Sequence, residues 1–199
     1  MTDTIRNRRA ASLPAKLSRS WLLVNAAKAD IFARAQASEA DSVIFDLEAS
    51  VAEDNKLEAR DNVVRALESG MSAWVRINKM ESEFWDDDLA AVATLPGLRG
   101  VMLPETERPE QVSYSAMRAK AGLPVIALLE SARGVENATK IAEAPGTFRL
   151  AFGTTTSARH RLLRRSDGTG LRPFPPDHRL AHGRSARRHR RPFGRRCQR

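Results

Sequence analysis

An α/β fold of repeated strand–helix units around a parallel sheet is predicted by three observations. Six short apolar runs recur at nearly regular intervals between residues 21 and 153. Segments with one apolar face at helical spacing lie between them. Gly70, Gly122 and Gly146 stand where helical segments would end, in the position where a glycine can take positive φ.

The first run is Trp21-Leu22-Leu23-Val24, and Ser42-Val43-Ile44-Phe45-Asp46-Leu47-Glu48 is the second. Continuous apolar runs of this length suit strands buried on both faces, as in parallel sheets, better than half-exposed antiparallel ones. Asn55 to Ser69 follows as a helix with Ala59, Val63, Ala66 and Leu67 on one face. The third and fourth runs are Ala73-Trp74-Val75-Arg76-Ile77 and Gly100-Val101-Met102-Leu103-Pro104. Pro124 to Glu130 makes the fifth, and Val135, Ala138, Ile141 and Ala142 predict the apolar face of the fifth helix. The sixth run is Arg149-Leu150-Ala151-Phe152-Gly153. A unit of roughly 25–30 residues is near that of the (β/α)8 TIM barrel, where about 250 residues make eight units. About six barrel strands are therefore expected. A doubly wound sheet would carry a Gly-rich loop after its first strand, and Asn25-Ala26-Ala27-Lys28 stands there instead.

Charge divides the chain near residue 157. The formal net charge is +9, but residues 1–157 sum to −3 and residues 158–199 to +12. The latter segment holds 14 Arg, no Lys, all four His and the single Cys197. Natural basic arms usually mix Lys with Arg, whereas Arg alternating with Pro, His, Leu and Gly is how a GC-rich gene reads out of frame. A one-base shift from Arg159 onward admits an Asp-Thr-Gly start and a helix-like ALAYARSRLTIASR. Three segments are expected: a polar arm over 1–18, a partial barrel over 19–157, and an Arg-rich, frameshifted, disordered tail over 158–199. The alternative function for that tail is nucleic-acid binding through phosphates.

No run of 18 apolar residues occurs, so no membrane span is expected. Met1 to Ser18 lacks the apolar stretch of a signal peptide, and residues 1–157 contain no Cys. A cytoplasmic protein without disulfides or a thiolate metal site is the expectation.

Chemistry in a parallel barrel collects at strand C-terminal ends. Asn25, Asp46 and Glu48, Arg76 and Asn78, Glu105 and Glu107, Glu130, and Thr154 to Thr156 stand there. Oxygen ligands without His or Cys suit Mg²⁺ or Mn²⁺. One Arg can grip a carboxylate in bidentate fashion. Bland readings sit beside these: Glu130 as a solvated loop residue, Lys56 and Arg60 as a solvated helix face at i, i+4, and the three Trp as packing.

The ordered set Arg19-Ser20-Trp21-Leu22-Leu23-Val24, Val43-Ile44-Phe45-Asp46-Leu47-Glu48, Lys56…Ala59-Arg60, Val75-Arg76-Ile77-Asn78, Val101-Met102-Leu103-Pro104 and Leu128-Leu129-Glu130-Ser131-Ala132-Arg133-Gly134 resembles the citrate lyase beta-subunit family of the HpcH/HpaI aldolases. Malyl-CoA, citramalyl-CoA and related CoA-ester lyases belong to the same superfamily. The likeness covers about residues 19–155. It implies a Mg²⁺-dependent carbon–carbon lyase that converts a CoA ester of a hydroxy acid into an acyl-CoA and an oxo-acid. Under the resemblance Arg76, Glu48 and Asp46 are catalytic and Arg76 also grips the oxo-acid. Lys56 and Arg60 lie near the CoA phosphates, Glu130 binds the metal, and the intact family forms homo-oligomers. The sequence departs from the family pattern at Asn25, Ala49, Glu105 and above all Thr156, which occupies the place of a second metal-binding Asp. A neutral hydroxyl is a poor substitute for a carboxylate on Mg²⁺. Two missing strands would leave raw sheet edges, so poor folding or aggregation is the expectation, and an inactive remnant of the family is the other alternative to a working lyase.

Overall fold

The computed structural model describes residues 13–119 and 122–153. Six strands form one parallel sheet in chain order: β1 (Trp21–Asn25), β2 (Ser42–Asp46), β3 (Ala73–Arg76), β4 (Leu98–Leu103), β5 (Val125–Leu129) and β6 (Thr147–Phe152). The helices are α1 (Phe32–Gln36), α2 (Lys56–Glu68), α3 (Trp85–Val92), α4 (Pro109–Ala119), α5 (Ala132–Glu136) and α6 (Ala138–Glu143). Sequential parallel neighbours joined by helices make this the α/β arrangement of a TIM barrel.

Alternation along each strand separates two apolar clusters. Val43, Phe45 and Leu47 of the β2 region, with Val75, Val101, Val125 and Ala127, face the helices and form the larger cluster. Ile44, Trp74, Met102, Ile126 and Leu128 point to the opposite face, where Trp21, Phe148 and Ala15 pack against them. Trp74 meets Trp21 edge-on at 5.4 Å and Phe148 at 5.2 Å. Trp74 and Trp85 are buried and Trp21 is half-buried, in keeping with packing roles. Gly100 is required by this packing, because a Cβ there would lie 2.3 Å from the Trp74 ring.

The expected helix over Asn55 to Ser69 is α2, preceded by a 3₁₀ turn at Glu53–Asn55. Its Ala59, Val63, Ala66 and Leu67 are all buried. Gly70, Gly122 and Gly146 take positive φ as expected. The expected fifth helix departs from its sequence reading. It is two helices, α5 and α6, meeting at Asn137, and Ala142 is exposed. The Asn137 side chain donates to the Glu107 carbonyl at 2.9 Å, which binds the junction to the loop after β4.

Residues 13–18 also differ from the expected polar arm. A 3₁₀ turn at Ala15–Leu17 packs under the sheet. Arg149 donates to the carbonyls of Ser18 (2.9 Å) and Lys16 (3.2 Å), Arg99 to that of Leu13 (2.7 Å), and the Ser18 and Ser42 hydroxyls meet at 2.8 Å. Residues 13–18 are thus held against the sheet. The boundary at 157, the Arg-rich segment and Thr156 lie outside the described residues. Among the described residues, no helix is long and apolar enough to cross a membrane.

Candidate active site

Parallel register brings the first functional pair together. Asp46 is the lateral neighbour of Arg76 across β2 and β3, so two side chains thirty residues apart share one row and one face. Arg76 donates from Nε to Asp46 Oδ1 and from Nη2 to Oδ2, both at 2.6 Å. Asp46 is fully buried and also accepts the backbone N–H groups of Glu48 (2.9 Å) and Ser50 (3.1 Å). Burial alone would raise the Asp46 pKa. The Arg76 hydrogen bonds and charge, with help from Ser50 and the Glu48 amide, outweigh burial and hold it below the usual carboxylate range. Arg76 is shifted the other way: burial opposes its charge, but Asp46, Glu48 and Glu130 hold it more firmly protonated.

Asp46 was expected among the catalytic residues. Its burial and its four accepted hydrogen bonds instead make it the anchor of Arg76 and of the loop after β2. Arg76 keeps an edge for other work. Its Nη1 lies 3.4 Å from Glu48 Oε2, and the Nη1 and Nη2 hydrogens not directed at Asp46 can meet a further carboxylate.

Glu48 is half-buried beyond the end of β2. Burial raises its pKa, Arg76 opposes that, and the charges of Asp46 and Glu130 reinforce it. A carboxyl raised in this way holds its proton more firmly than an ordinary one. Glu130 follows β5 and accepts the Glu105 N–H at 3.2 Å. Glu105 itself has φ 47°, an uncommon left-handed conformation for a side chain of this size, and its carboxylate takes Lys79 at 3.1 Å. Gly153 leaves room for Glu130, since a Cβ there would lie 2.7 Å from the Glu130 Cγ and 2.8 Å from Oε1.

The expected pair Lys56 and Arg60 divides between two tasks. Lys56 donates from Nζ to the carbonyls of Leu47 (2.9 Å) and Glu48 (3.1 Å) and lies 5.8 Å over the Phe84 ring. An ammonium has three donors, so one is left for the adjoining cleft of about 360 Å³. Glu48, Lys56, Asn78, Lys79, Ser82 and Phe84 are among its lining. Arg60 is buried rather than solvated. It bonds Asp88 at 2.8 Å, with the Asp87 carboxylate and the Phe84 carbonyl each at 3.4 Å. Sequence reading of the Lys56/Arg60 pair as a solvated face fails because α3 brings its acidic first turn against α2.

Asn25 was visible as a polar strand end and as a departure from the family pattern. Its amide donates to the Ser50 carbonyl and its Oδ1 accepts from Ala27 at 2.8 Å, joining the loops after β1 and β2. Asp88 was missed altogether. The run Asp86-Asp87-Asp88 was legible, but its partner Arg60 lies twenty-eight residues earlier.

Acidic and guanidinium side chains at the C-terminal ends of a parallel (β/α) sheet define an enzyme-type barrel site. Comparison with known proteins makes the assignment specific. The family model of HpcH/HpaI aldolase/citrate lyase matches residues 19–188, and the chain belongs to that family. A (3S)-malyl-CoA thioesterase of Cereibacter sphaeroides is 34% identical over 154 residues, covering 73% of this chain and 52% of the relative. A citrate lyase subunit beta-like protein of Mycobacterium tuberculosis is 38% identical over 133 residues, covering 67% and 46%. The chain spans about half the length of the curated relatives it matches. The crystal structure of the Mycobacterium tuberculosis protein CitE in complex with magnesium, acetoacetate and coenzyme A aligns with a TM-score of 0.63 at 33% identity, over 77% of this chain and 56% of that one. The citrate lyase beta subunit of the same organism, complexed with oxaloacetate and magnesium, aligns with a TM-score of 0.62 at 34% identity, over 77% and 67%.

Proposed function

We propose that residues 19–157 carry the barrel of a Mg²⁺-dependent carbon–carbon lyase. Its substrate is a CoA ester of a hydroxy acid of the citryl, malyl or citramalyl type. The products are an acyl-CoA and an oxo-acid. The carrying observation is the Arg76 guanidinium, locked by Asp46 on one edge and turned towards Glu48 on the other. Related proteins crystallised with magnesium and small oxo-acids support the substrate class.

Glu130 suits a hard cation by its carboxylate chemistry. Among the described residues no group of three or more His, Cys, Asp or Glu could hold a metal ion, but Mg²⁺ needs only one or two protein carboxylates and takes waters and substrate oxygens for the rest. When bound, Mg²⁺ or Mn²⁺ would polarise the oxo-acid carbonyl. Arg76 then orients the oxo-acid carboxylate, and Asp46 keeps the guanidinium from turning. Glu48 holds or releases a proton beside it. Lys56, with one donor free, faces the CoA phosphates. Arg60 supports that wall from behind. Ala49 lines the cleft where the family pattern has an Asp, and the sequence reads Thr156 where the family pattern has the second metal-binding Asp. The working protein is proposed to be a cytoplasmic homo-oligomer.

The test is incubation of the full chain with malyl-CoA and citramalyl-CoA, with and without Mg²⁺. Appearance of acyl-CoA together with an oxo-acid, lost in Arg76→Ala, supports the lyase. Free CoA with the acid released intact would favour thioester hydrolysis, the activity named for the Cereibacter relative. No turnover with any of these esters under Mg²⁺ counts against both.

A further inference from the structure

Asp88 meets neither Arg76, Glu48 nor Glu130 in any bond above, yet three bonds converge on it. It sits in the first turn of α3 and is 1% exposed. Oδ1 accepts from Arg60 Nε at 2.8 Å. Oδ2 accepts from the backbone N–H of Asn78 at 3.0 Å and from its side-chain amide at 2.7 Å. The carboxylate therefore ties together α2, α3 and the start of the loop after β3. A negative charge in the first turn of a helix is also favoured by the helix dipole.

The loop between Asn78 and Asp88 supplies one wall of the 360 Å³ cleft through Asn78, Lys79, Ser82 and Phe84. Lys56, at the N-terminus of α2, stands on the same cleft. Asp88 is absent from its lining, but it grips one wall at Asn78 and the helix carrying Lys56 through Arg60. Its own N–H donates to the Phe84 carbonyl at 2.9 Å, and Arg60 Nη2 reaches the same carbonyl at 3.4 Å. Both ends of the loop are held by this one ion pair.

We infer that Asp88 is a positioning residue that sets the spacing between Lys56 and the 78–84 loop, and through it the affinity for the CoA moiety. The inference rests on the proposed CoA-ester function. An Asn at 88 has one acceptor oxygen where Asp has two. Its NH₂ must face either Arg60 or the Asn78 donors, and donor meets donor in both cases. An exposed ion pair would tolerate this; a buried one does not.

Two readouts on the full chain test it. Backbone hydrogen exchange follows residues 77–84 against β2 and β5, and calorimetry follows binding of CoA itself. Asp88→Asn should speed exchange in 77–84 selectively and weaken CoA binding at least about tenfold, the equivalent of about 1.4 kcal/mol. If turnover is measurable, KM for the ester should rise while kcat stays within about twofold, the pattern of lost uniform binding. Asn78→Ala removes the 2.7 Å arm alone and should give a smaller change of the same kind, which keeps the test open should Asp88→Asn fail to fold. Unchanged exchange in 77–84 in both variants overturns the inference. So does faster exchange with CoA affinity unaltered. A wild-type chain that binds no CoA sinks the proposed function instead, and the hold of Asp88 on its loop is then decided by exchange alone.

Discussion

Arg76–Asp46 and Arg60–Asp88 are both buried guanidinium–carboxylate pairs, closed at 2.6 and 2.8 Å. Each carboxylate is essentially inaccessible to water and also accepts backbone N–H groups or an amide. They differ in what each Arg has left over. Arg76 spends Nε and one Nη2 hydrogen on Asp46 and turns Nη1 to Glu48 at the strand ends. Arg60 directs Nε, Nη1 and Nη2 to the first turn of α3 and the residue before it. The first pair presents a functional edge, and the second is consumed by holding two helices and a loop. The role of a buried ion pair is thus read from its unspent donors, not from its charge.

The largest effect is expected where the first pair is broken on its acidic side. Asp46→Ala would leave Arg76 buried without its counter-charge and free two backbone N–H groups, at a cost of about 3–5 kcal/mol. Urea denaturation measures it. A loss below about 1 kcal/mol, the range of a surface ion pair, would mean that Arg76 finds water and that Asp46 is not its anchor.

The pH dependence of stability separates Asp46 from Glu48. Asp46 lies below its ordinary value of 3.8. Its contribution is present above that pH and is lost as pH falls through the folded-state value. Glu48 is raised above 4.5, so its contribution is present below that pH and is lost as pH rises through its folded-state value. Glu48→Gln should therefore stabilise the chain relative to wild type above pH 4.5, with the difference fading in acid. The reverse trend in thermal melts would overturn the assignment of burial as the larger influence on Glu48.

A smaller effect is expected at Gly153, where Ala would press on the Glu130 side chain at 2.7 Å. Overpacking of this kind costs about 1–3 kcal/mol. Titration with Mn²⁺ should show weaker binding than wild type, and equal binding would detach Gly153 from the placing of Glu130. The smallest effect belongs to the rim of the sheet. Leu22 on β1 is 37% exposed, and β1 has one partner strand among the described residues. Leu22→Lys should change stability by no more than about 0.5 kcal/mol, while light scattering should show less self-association, since Lys guards an open strand edge. A large destabilisation would show that Leu22 is covered in the folded protein.

Much of the fold was legible along the chain. All six strands fall within two residues of their apolar runs, because strands buried on both faces leave an uninterrupted hydrophobic signature. The fifth helix was not legible as two, since its division depends on Asn137 reaching the Glu107 carbonyl across thirty residues. Residues 13–18 read as a polar arm because their backbone carbonyls, which carry no sequence signal, are what Arg99 and Arg149 bind. In the site, Arg76, Glu48 and Glu130 stood out as charged residues at or after strand ends, and Lys56 through the family resemblance. Asp88 did not, because an acidic residue in a helix's first turn is ordinary at the surface.

The sequence by itself determined the strand–helix alternation, the family and the row of polar residues at the strand ends. These are local or ordered patterns, and periodicity and chain order suffice to read them. Only the tertiary structure decided which carboxylate each guanidinium meets. Parallel register put Asp46 beside Arg76, and the packing of α3 on α2 put Asp88 beside Arg60. Both depend on separations of about thirty residues being closed to less than 3 Å, a distance that no property of the chain taken one segment at a time contains.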